Sequence, residues 1–381
     1  MEQTINRGLD GVNIDTSSIC FIDGAKGELI YRGYDIRELA NKASFEEVVH
    51  LLWDGDLPTR AQLDGLRSEL SRSFGVPSQV YDLLRSLPRG VDPMHAVTSA
   101  VSLLGALDAG ADAVEMDNVR RVGKLLLAQF PTIVAAIQRT RQGLEPVEPR
   151  ADLSIAGNFL YMLTGEEPTA AATNVMDVAL VLHAEHGSNA STFVARATAS
   201  TLTDVYSAIT AATAALKGPL HGGANEAVME ALEKIGTTEN VEGYVLDILS
   251  RPGGRVMGFG HRVYRVLDPR AVVLKEVSRQ LAEESGEGKW FEMSLEMERV
   301  MEREMEKRGK QVRPNVDFFS ASVYRMLGFP AEMYTPIFAV ARVAGWMAHL
   351  YEQYADNRLM RPRLVYEGPR DKRFVPVDQR G

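Results

Sequence analysis

The sequence predicts an all-α, multi-helical protein with one small N-terminal β-hairpin, on three observations. From residue 44 onward apolar residues recur at helical spacing behind recognisable capping signals. Strand-like alternation is confined to the stretch from Ser18 to Tyr31. The motifs of parallel-sheet α/β folds are missing: there is no Walker A sequence and no Gly-x-Ser-x-Gly. Gly258-Phe259-Gly260 neither continues into a third Gly nor links a strand to a helix.

At 381 residues the chain is long enough for two domains and a large core. No run approaches the roughly 18 apolar residues of a membrane span. Met1 to Asp10 mixes both charge signs without an apolar core, so it reads as neither a secretory signal nor a transit peptide. The net charge of −9 argues against a general nucleic-acid binder and leaves small anionic ligands open. The single cysteine, Cys20, allows no intrachain disulfide and no Cys-based zinc site, and it fits a reducing compartment.

In chain order, Ser18 to Asp23 and Glu28 to Tyr31 flank Gly24-Ala25-Lys26-Gly27 as a hairpin, and Tyr31-Arg32-Gly33-Tyr34 follows as a loop. Ser44 and Glu47 form a capping box, as do Thr59 and Gln62, and Asp92-Pro93 opens a third helix. Helical runs follow at about 117–142, interrupted at Pro131, at about 152–163, and from Pro168 to His186. Residues 191–217 read as two Ala-rich helices broken near Thr203-Asp204, their small side chains suited to close packing. Further helices are expected at about 222–236, 240–250, 315–327 and 336–355, with two charged helices across 270–308. On the latter, Trp290, Met293, Met297, Met301 and Met305 form a stripe that reads as core rather than as a binding face. Arg251 to Pro269 is a long, Gly-bearing, non-helical stretch, and such loops are usually functional. A basic tail runs from Arg358 to Arg373.

Candidate chemistry concentrates in four places. Lys217-Gly218-Pro219-Leu220-His221-Gly222-Gly223-Ala224-Asn225 sets one His in a Gly-rich turn before a helix. The field of that helix's N-terminus disfavours an imidazolium and leaves a neutral donor; the alternative is a turn with an incidental His. His261 lies within ten residues of Arg262, Arg265 and Arg270, and Arg is suited to planar carboxylate or phosphate recognition. Asp317 is either an ordinary helix N-terminal Asp or a carboxylate made more basic by the Phe318 and Phe319 beside it. His183 and His186, three apart on one helix face, could hold a metal, but no further ligand is evident. An ordinary hydrogen-bonded pair, or a pair serving a small-molecule site, is the better reading.

Taken together these segments carry a pattern. Pro219-Leu220-His221-Gly222-Gly223-Ala224-Asn225, Gly258-Phe259-Gly260-His261-Arg262-Val263-Tyr264, Asp268-Pro269-Arg270 and Pro314-Asn315-Val316-Asp317 occur in this order. Tyr31-Arg32-Gly33-Tyr34, His183-Ala184-Glu185-His186-Gly187-Ser188-Asn189-Ala190-Ser191 and Arg361-Pro362-Arg363 join them. The chain so read resembles the citrate synthase family, nearly end to end. The resemblance implies a large domain of residues 1–221 and 331–381 and a small one of 222–330. It implies condensation of acetyl-CoA with oxaloacetate, hydrolysis to citrate and CoA, and no cofactor. Asp317 resembles the family's base, His221 the donor to the thioester oxygen, and His261 the donor to the oxaloacetate keto oxygen. His186, Arg270 and Arg342 resemble its carboxylate ligands, and Arg361 the further arginine contributed across a homodimer. Arg265 and Lys310 stand where relatives place basic residues near CoA phosphates. No metal is implied.

The chemistry agrees with these roles. A thioester α-proton is weakly acidic, so a carboxylate base needs charge stabilisation at the developing oxyanion, and a neutral His can supply it. The short N-terminus suggests the dimeric, NADH-insensitive type and a cytoplasmic enzyme. Three alternatives remain: 2-methylcitrate synthase, using propionyl-CoA through the same residues; a catalytically silent scaffold on the same fold; and a metal-dependent lyase built on His183 and His186.

Overall fold

The computed structural model describes residues 5–9, 11–261 and 263–380, in which the chain forms sixteen α-helices and one small sheet. Met1–Thr4, Asp10, Arg262 and Gly381 lie outside them, and with these part of the stretch read for targeting signals and one arginine of the basic loop. The expected hairpin is present. β1 (Cys20–Asp23) pairs antiparallel with β2 (Glu28–Tyr31), Phe21 opposite Ile30. The segment read as a loop instead turns back: β3 (Tyr34–Asp35) pairs with β2, Tyr34 opposite Tyr31. Both turn residues are left-handed, Arg32 at φ 48° and Gly33 at φ 96°. Such turns favour Asn-Gly or Gly-Gly, so an Arg in the first position hides one.

The first helices are α1 (Ile36–Lys42), α2 (Phe45–Asp54), α3 (Arg60–Ser71), α4 (Ser78–Ser86) and α5 (Pro93–Leu107). Both capping boxes form as expected, at the starts of α2 and α3. α1 and α4 are too short for their periodicity to stand out in the sequence. α6 (Met116–Arg141) runs unbroken through Pro131, where an interruption was expected. Residues 126–138 are buried on every face, and that packing keeps the two halves in line although Pro131 has no N–H for the ladder.

α7 (Ile155–Thr164) and α8 (Ala170–His183) follow. α8 ends at His183 instead of reaching His186, so the two histidines do not share a helix face. The Ala-rich pair is α9 (Ala190–Ala199) and α10 (Val205–Leu216), packed on each other, with α10 also on α5. Then come α11 (Ala224–Ile235), α12 (Val241–Ser250), α13 (Pro269–Ser285), α14 (Lys289–Lys307), α15 (Val316–Met326) and α16 (Tyr334–Ala355). On α14, Met293, Met297, Met301 and Met305 are all buried and are core, as read, while Trp290 at the head of the stripe is only partly buried, with Lys289 and Arg325 over its ring.

α16 is the axis that positions the site. It packs against α2, α6, α8, α9 and α10 and is buried from Tyr334 to Tyr351. A helix covered all round must place its polar residues inside. Arg342, Trp346 and His349 are therefore held in the interior with partners drawn from other segments. α11, α14 and α15 pack together, as do α13 and α15, and α13 also touches α1 and α8. No helix among the described residues is long and apolar enough to cross a membrane.

Candidate active site

The loop from α10 to α11 is shaped by backbone contact. The Gly222 N–H returns to the Leu216 carbonyl at 2.9 Å, and a Cβ at 222 would sit 2.5 Å from that oxygen. The Thr335 hydroxyl donates to the Gly222 carbonyl, tying the loop to α16. His221 is thereby turned onto Ser191. The Ser191 N–H donates to its Nε2 at 3.3 Å, and Ser191 Oγ lies 2.8 Å from the same nitrogen. A backbone N–H can only donate, so Nε2 accepts and the neutral ring carries its proton on Nδ1. Ser191 is itself held by the Trp346 indole N–H (3.1 Å) and by Asn189 (2.9 Å). Burial, and then the Arg342 charge, push the His221 pKa down to about 4. α11 begins only at Ala224, so burial rather than the helix end alone keeps this ring neutral.

His261 and Asp317, 56 positions apart, are joined by backbone pairing. Phe259 bridges Pro314, the Gly260 N–H donates to the Arg313 carbonyl at 2.8 Å, and the Asn315 N–H donates to Gly258 at 2.9 Å. The Asn315 side chain adds a bond to the Gly260 carbonyl. At Gly258, with φ 80°, a Cβ would lie 2.8 Å from both Phe318 and Val228, so the loop reaches α15 only because no side chain is there. Beyond the clasp the backbone turns over the His261 ring. The N–H groups of Val263 (3.0 Å) and Tyr264 (3.2 Å) both donate to His261 Nδ1, which places its proton on Nε2. Burial, and then Arg270, bring this pKa down to about 4 as well.

Asp317 is the second residue of α15, its N–H bound to the Asn315 side chain at 3.0 Å. Its chain neighbours Phe318 and Phe319 are buried, and its carboxylate has no hydrogen-bond partner among the described residues. Burial pushes its pKa up to about 6, against the opposing pull of Arg270. Both sequence readings of Asp317 therefore hold: it is a helix N-terminal Asp and a desolvated one.

Two buried guanidiniums face this group. Arg270 is paired bidentately with Asp268 (Nε–Oδ1 3.0 Å, Nη2–Oδ2 2.8 Å), and Asp268 also accepts from the N–H groups of Arg270 and Val316. Arg342 donates through Nε to the His183 carbonyl at 2.8 Å and lies over the Phe338 ring. It has no carboxylate within ion-pair distance among the described residues. His186, in the loop after α8, places its ring 5.2 Å from that of His261 and bonds Tyr264 through Nε2. Burial, then Arg270, hold it well below the ordinary histidine pKa.

Electrostatic coupling and ring contacts thus link His186, His221, His261, Arg270, Asp317 and Arg342 into one cluster. Three other sequence candidates make no hydrogen bond or ion pair with it among the described residues. Arg361 is exposed on the C-terminal tail. Lys310 is exposed after α14, and Arg265 is exposed on the loop that touches the hairpin, its own N–H bound to Gly24. His183 spends its Nδ1–H on Ala179 between Tyr324 and Phe338, with no group of metal-holding residues around it among those described. Sequence reasoning missed the supports Ser191, Asn189, Trp346, Tyr264 and Asp268 as residues with jobs of their own. For Ser191 and Asn189 the cap of α9 was a signal; for Trp346 nothing in the local sequence could serve.

A family model described as citrate synthase, C-terminal domain, matches residues 8–363. The chain is 49% identical to the Bacillus subtilis protein named Citrate synthase 2, covering 99% of this chain and 100% of that one. It is 40% identical to 2-methylcitrate synthase 1 of Corynebacterium glutamicum, over 100% and 99% of the two chains. Among solved structures, the Thermoplasma acidophilum citrate synthase in a ternary complex with carboxymethyl coenzyme A and oxaloacetate superposes with a TM-score of 0.94 at 35% identity, each chain fully covered. By sequence over its whole length and by fold, the chain belongs to the citrate synthase family.

Proposed function

We propose that this protein condenses acetyl-CoA with oxaloacetate and water, giving citrate and CoA, the reaction by which acetyl units enter the tricarboxylic acid cycle. One observation carries the reading: burial sets three groups into the states this chemistry requires. Asp317 is a carboxylate whose basicity is raised towards neutrality, and His221 and His261 are neutral rings with N–H groups on known nitrogens. Asp317 takes a proton from the acetyl methyl while His221 Nδ1–H donates to the thioester oxygen as it gains charge. The enol carbon attacks the keto carbon of oxaloacetate, and His261 Nε2–H donates to the keto oxygen. Water then cleaves the citryl thioester and releases the CoA thiol.

His186, Arg270 and Arg342 bind the carboxylates. The segments 1–221 with 331–381, and 222–330, act as a large and a small domain that close to shut water out. Arg265 and Lys310 meet the CoA phosphates. No cofactor enters this scheme, and the enzyme works in the cytoplasm. The active unit is a homodimer, because the tail that carries Arg361 exposes Leu359, Leu364 and Phe374, which a second copy would cover. Mixing Arg361→Ala and Asp317→Ala subunits, each inactive alone, is expected to restore activity. A random mixture should reach about a quarter of wild type, since half the dimers carry one intact site. No recovery in demonstrated mixed dimers would remove Arg361 from the partner's site.

The second reading, 2-methylcitrate synthesis from propionyl-CoA, is favoured by the relatives of that name. One methylene in an apolar pocket is worth only about 1–3 kcal/mol, so the catalytic groups do not separate the two. Release of CoA thiol with each acyl-CoA and oxaloacetate does. The expected result is a higher kcat/KM for acetyl-CoA. A higher value for propionyl-CoA overturns the assignment, and no turnover with either makes the chain a silent scaffold.

A further inference from the structure

We infer that Tyr264 is a positioning residue of the oxaloacetate site, its phenol fixing the proton and orientation of His186; this rests on His186 being a ligand of oxaloacetate. Tyr264 and His186 are 78 positions apart, yet the phenol oxygen lies 3.1 Å from His186 Nε2, and both side chains are buried. The rings of Tyr264, His186 and His261 form one cluster, with centroids 5.5 Å, 5.2 Å and 4.8 Å apart pairwise. Tyr264 thus holds both histidines by different atoms. Its N–H bonds His261 Nδ1 while its hydroxyl bonds His186 Nε2.

The backbone bond to His261 survives any side-chain change, but the bond to His186 does not. A neutral imidazole has one N–H, and a ligand's carboxylate needs that proton to be aimed at it. Burial keeps the Tyr264 phenol protonated, so it remains a permanent hydrogen-bond partner. Without it, a buried ring nitrogen loses its partner and the ring is free to turn within the cluster. The loop is held in place from the other side, where the Arg265 N–H donates to the Gly24 carbonyl at 2.7 Å. The phenol is therefore presented by a braced loop.

Tyr264→Phe keeps the ring packing and removes only the hydroxyl. It is expected to raise the KM for oxaloacetate about tenfold, with kcat and the KM for acetyl-CoA within about twofold of wild type. His186→Asn alone should raise the same KM at least as much. In the His186→Asn background, Tyr264→Phe should add nothing further, because the phenol acts through that ring. An equal additional loss in both backgrounds overturns the proposal, placing the phenol's effect elsewhere. So does an unchanged KM in Tyr264→Phe while His186→Asn is impaired. An unchanged KM in His186→Asn overturns the underlying reading of His186 itself.

Discussion

Asp317→Asn is expected to lower kcat by about 10²–10⁴-fold, the range a positioned general base supplies, while oxaloacetate affinity stays within about threefold. The same substitution should make the folded protein more stable at about pH 8. The sign follows from the direction of the shift. The carboxyl has a pKa of 3.8 when unfolded and about 6 in place, because burial penalises its charged form. The native state thus binds the proton more tightly, and this group favours folding most below about pH 4. That contribution is lost as pH rises through 6, and above it the native state holds a charge it would rather not carry. Replacing it with a neutral isostere relieves about 1–3 kcal/mol, discounted because the carboxylate is only partly covered. Urea unfolding should show the larger gain at about pH 8, roughly half of it at about pH 5, and none below about pH 4, because the contribution is lost between the two pKa values. In the wild type, kcat/KM should rise with pH through about 6 and then level, since His221 and His261, near 4, are already neutral there. Near-normal turnover in a folded Asp317→Asn protein would show that another group is the base. A mutant without a stability gain would show that the charge is not confined.

The fold and the site were legible to different depths. Capping boxes announce α2 and α3 because cap and reply lie three residues apart, within one turn. Pro131 misled because the sequence shows the missing N–H but not the surrounding packing that outweighs it. His186 was placed on a helix because its spacing from His183 fits one, yet α8 stops at His183 and the chain turns away. The residue types of the site could be found from short Gly-rich and Arg-rich segments, and the ordered motifs named the family. What no local pattern contains is the support behind each ring. Trp346 reaches Ser191 across 155 positions, and Asn315 clasps the Gly260 carbonyl across 55. These contacts hold Ser191 and the Gly260 loop in place. The tautomer of His221 is then a tertiary property, set by the Ser191 N–H across 30 positions, whereas that of His261 is set locally by the Val263 and Tyr264 N–H groups. Neutrality at His221 comes from burial and the Arg342 charge, neither of which the sequence around the helix end contains.

Arg342→Met and Arg270→Leu should both weaken oxaloacetate binding strongly, raising its KM about 10²-fold or more, yet they should move stability in different ways. Arg270 is the bidentate partner of Asp268, and both are almost wholly buried. Removing it strands a buried carboxylate that also anchors the Arg270 and Val316 N–H groups, a loss of about 3–5 kcal/mol. Arg342 has no such carboxylate; among the described residues its guanidinium is held by the His183 carbonyl and the Phe338 face. Methionine, unbranched and similar in length, forfeits one hydrogen bond and the longer-range attraction of Glu185, but also a charge that burial penalises more than Glu185 offsets. Stability should therefore change by only about 1 kcal/mol. The two charges also hold Asp317 down, Arg270 more than Arg342. Loss of Arg342 should therefore move the acid limb of kcat/KM above pH 6, a shift that mere loosening of α16 would not produce. An Arg342→Met protein as unstable as Arg270→Leu would mean that Arg342 is a structural cation. An unchanged KM for oxaloacetate would mean that this buried guanidinium is kept for some other anion.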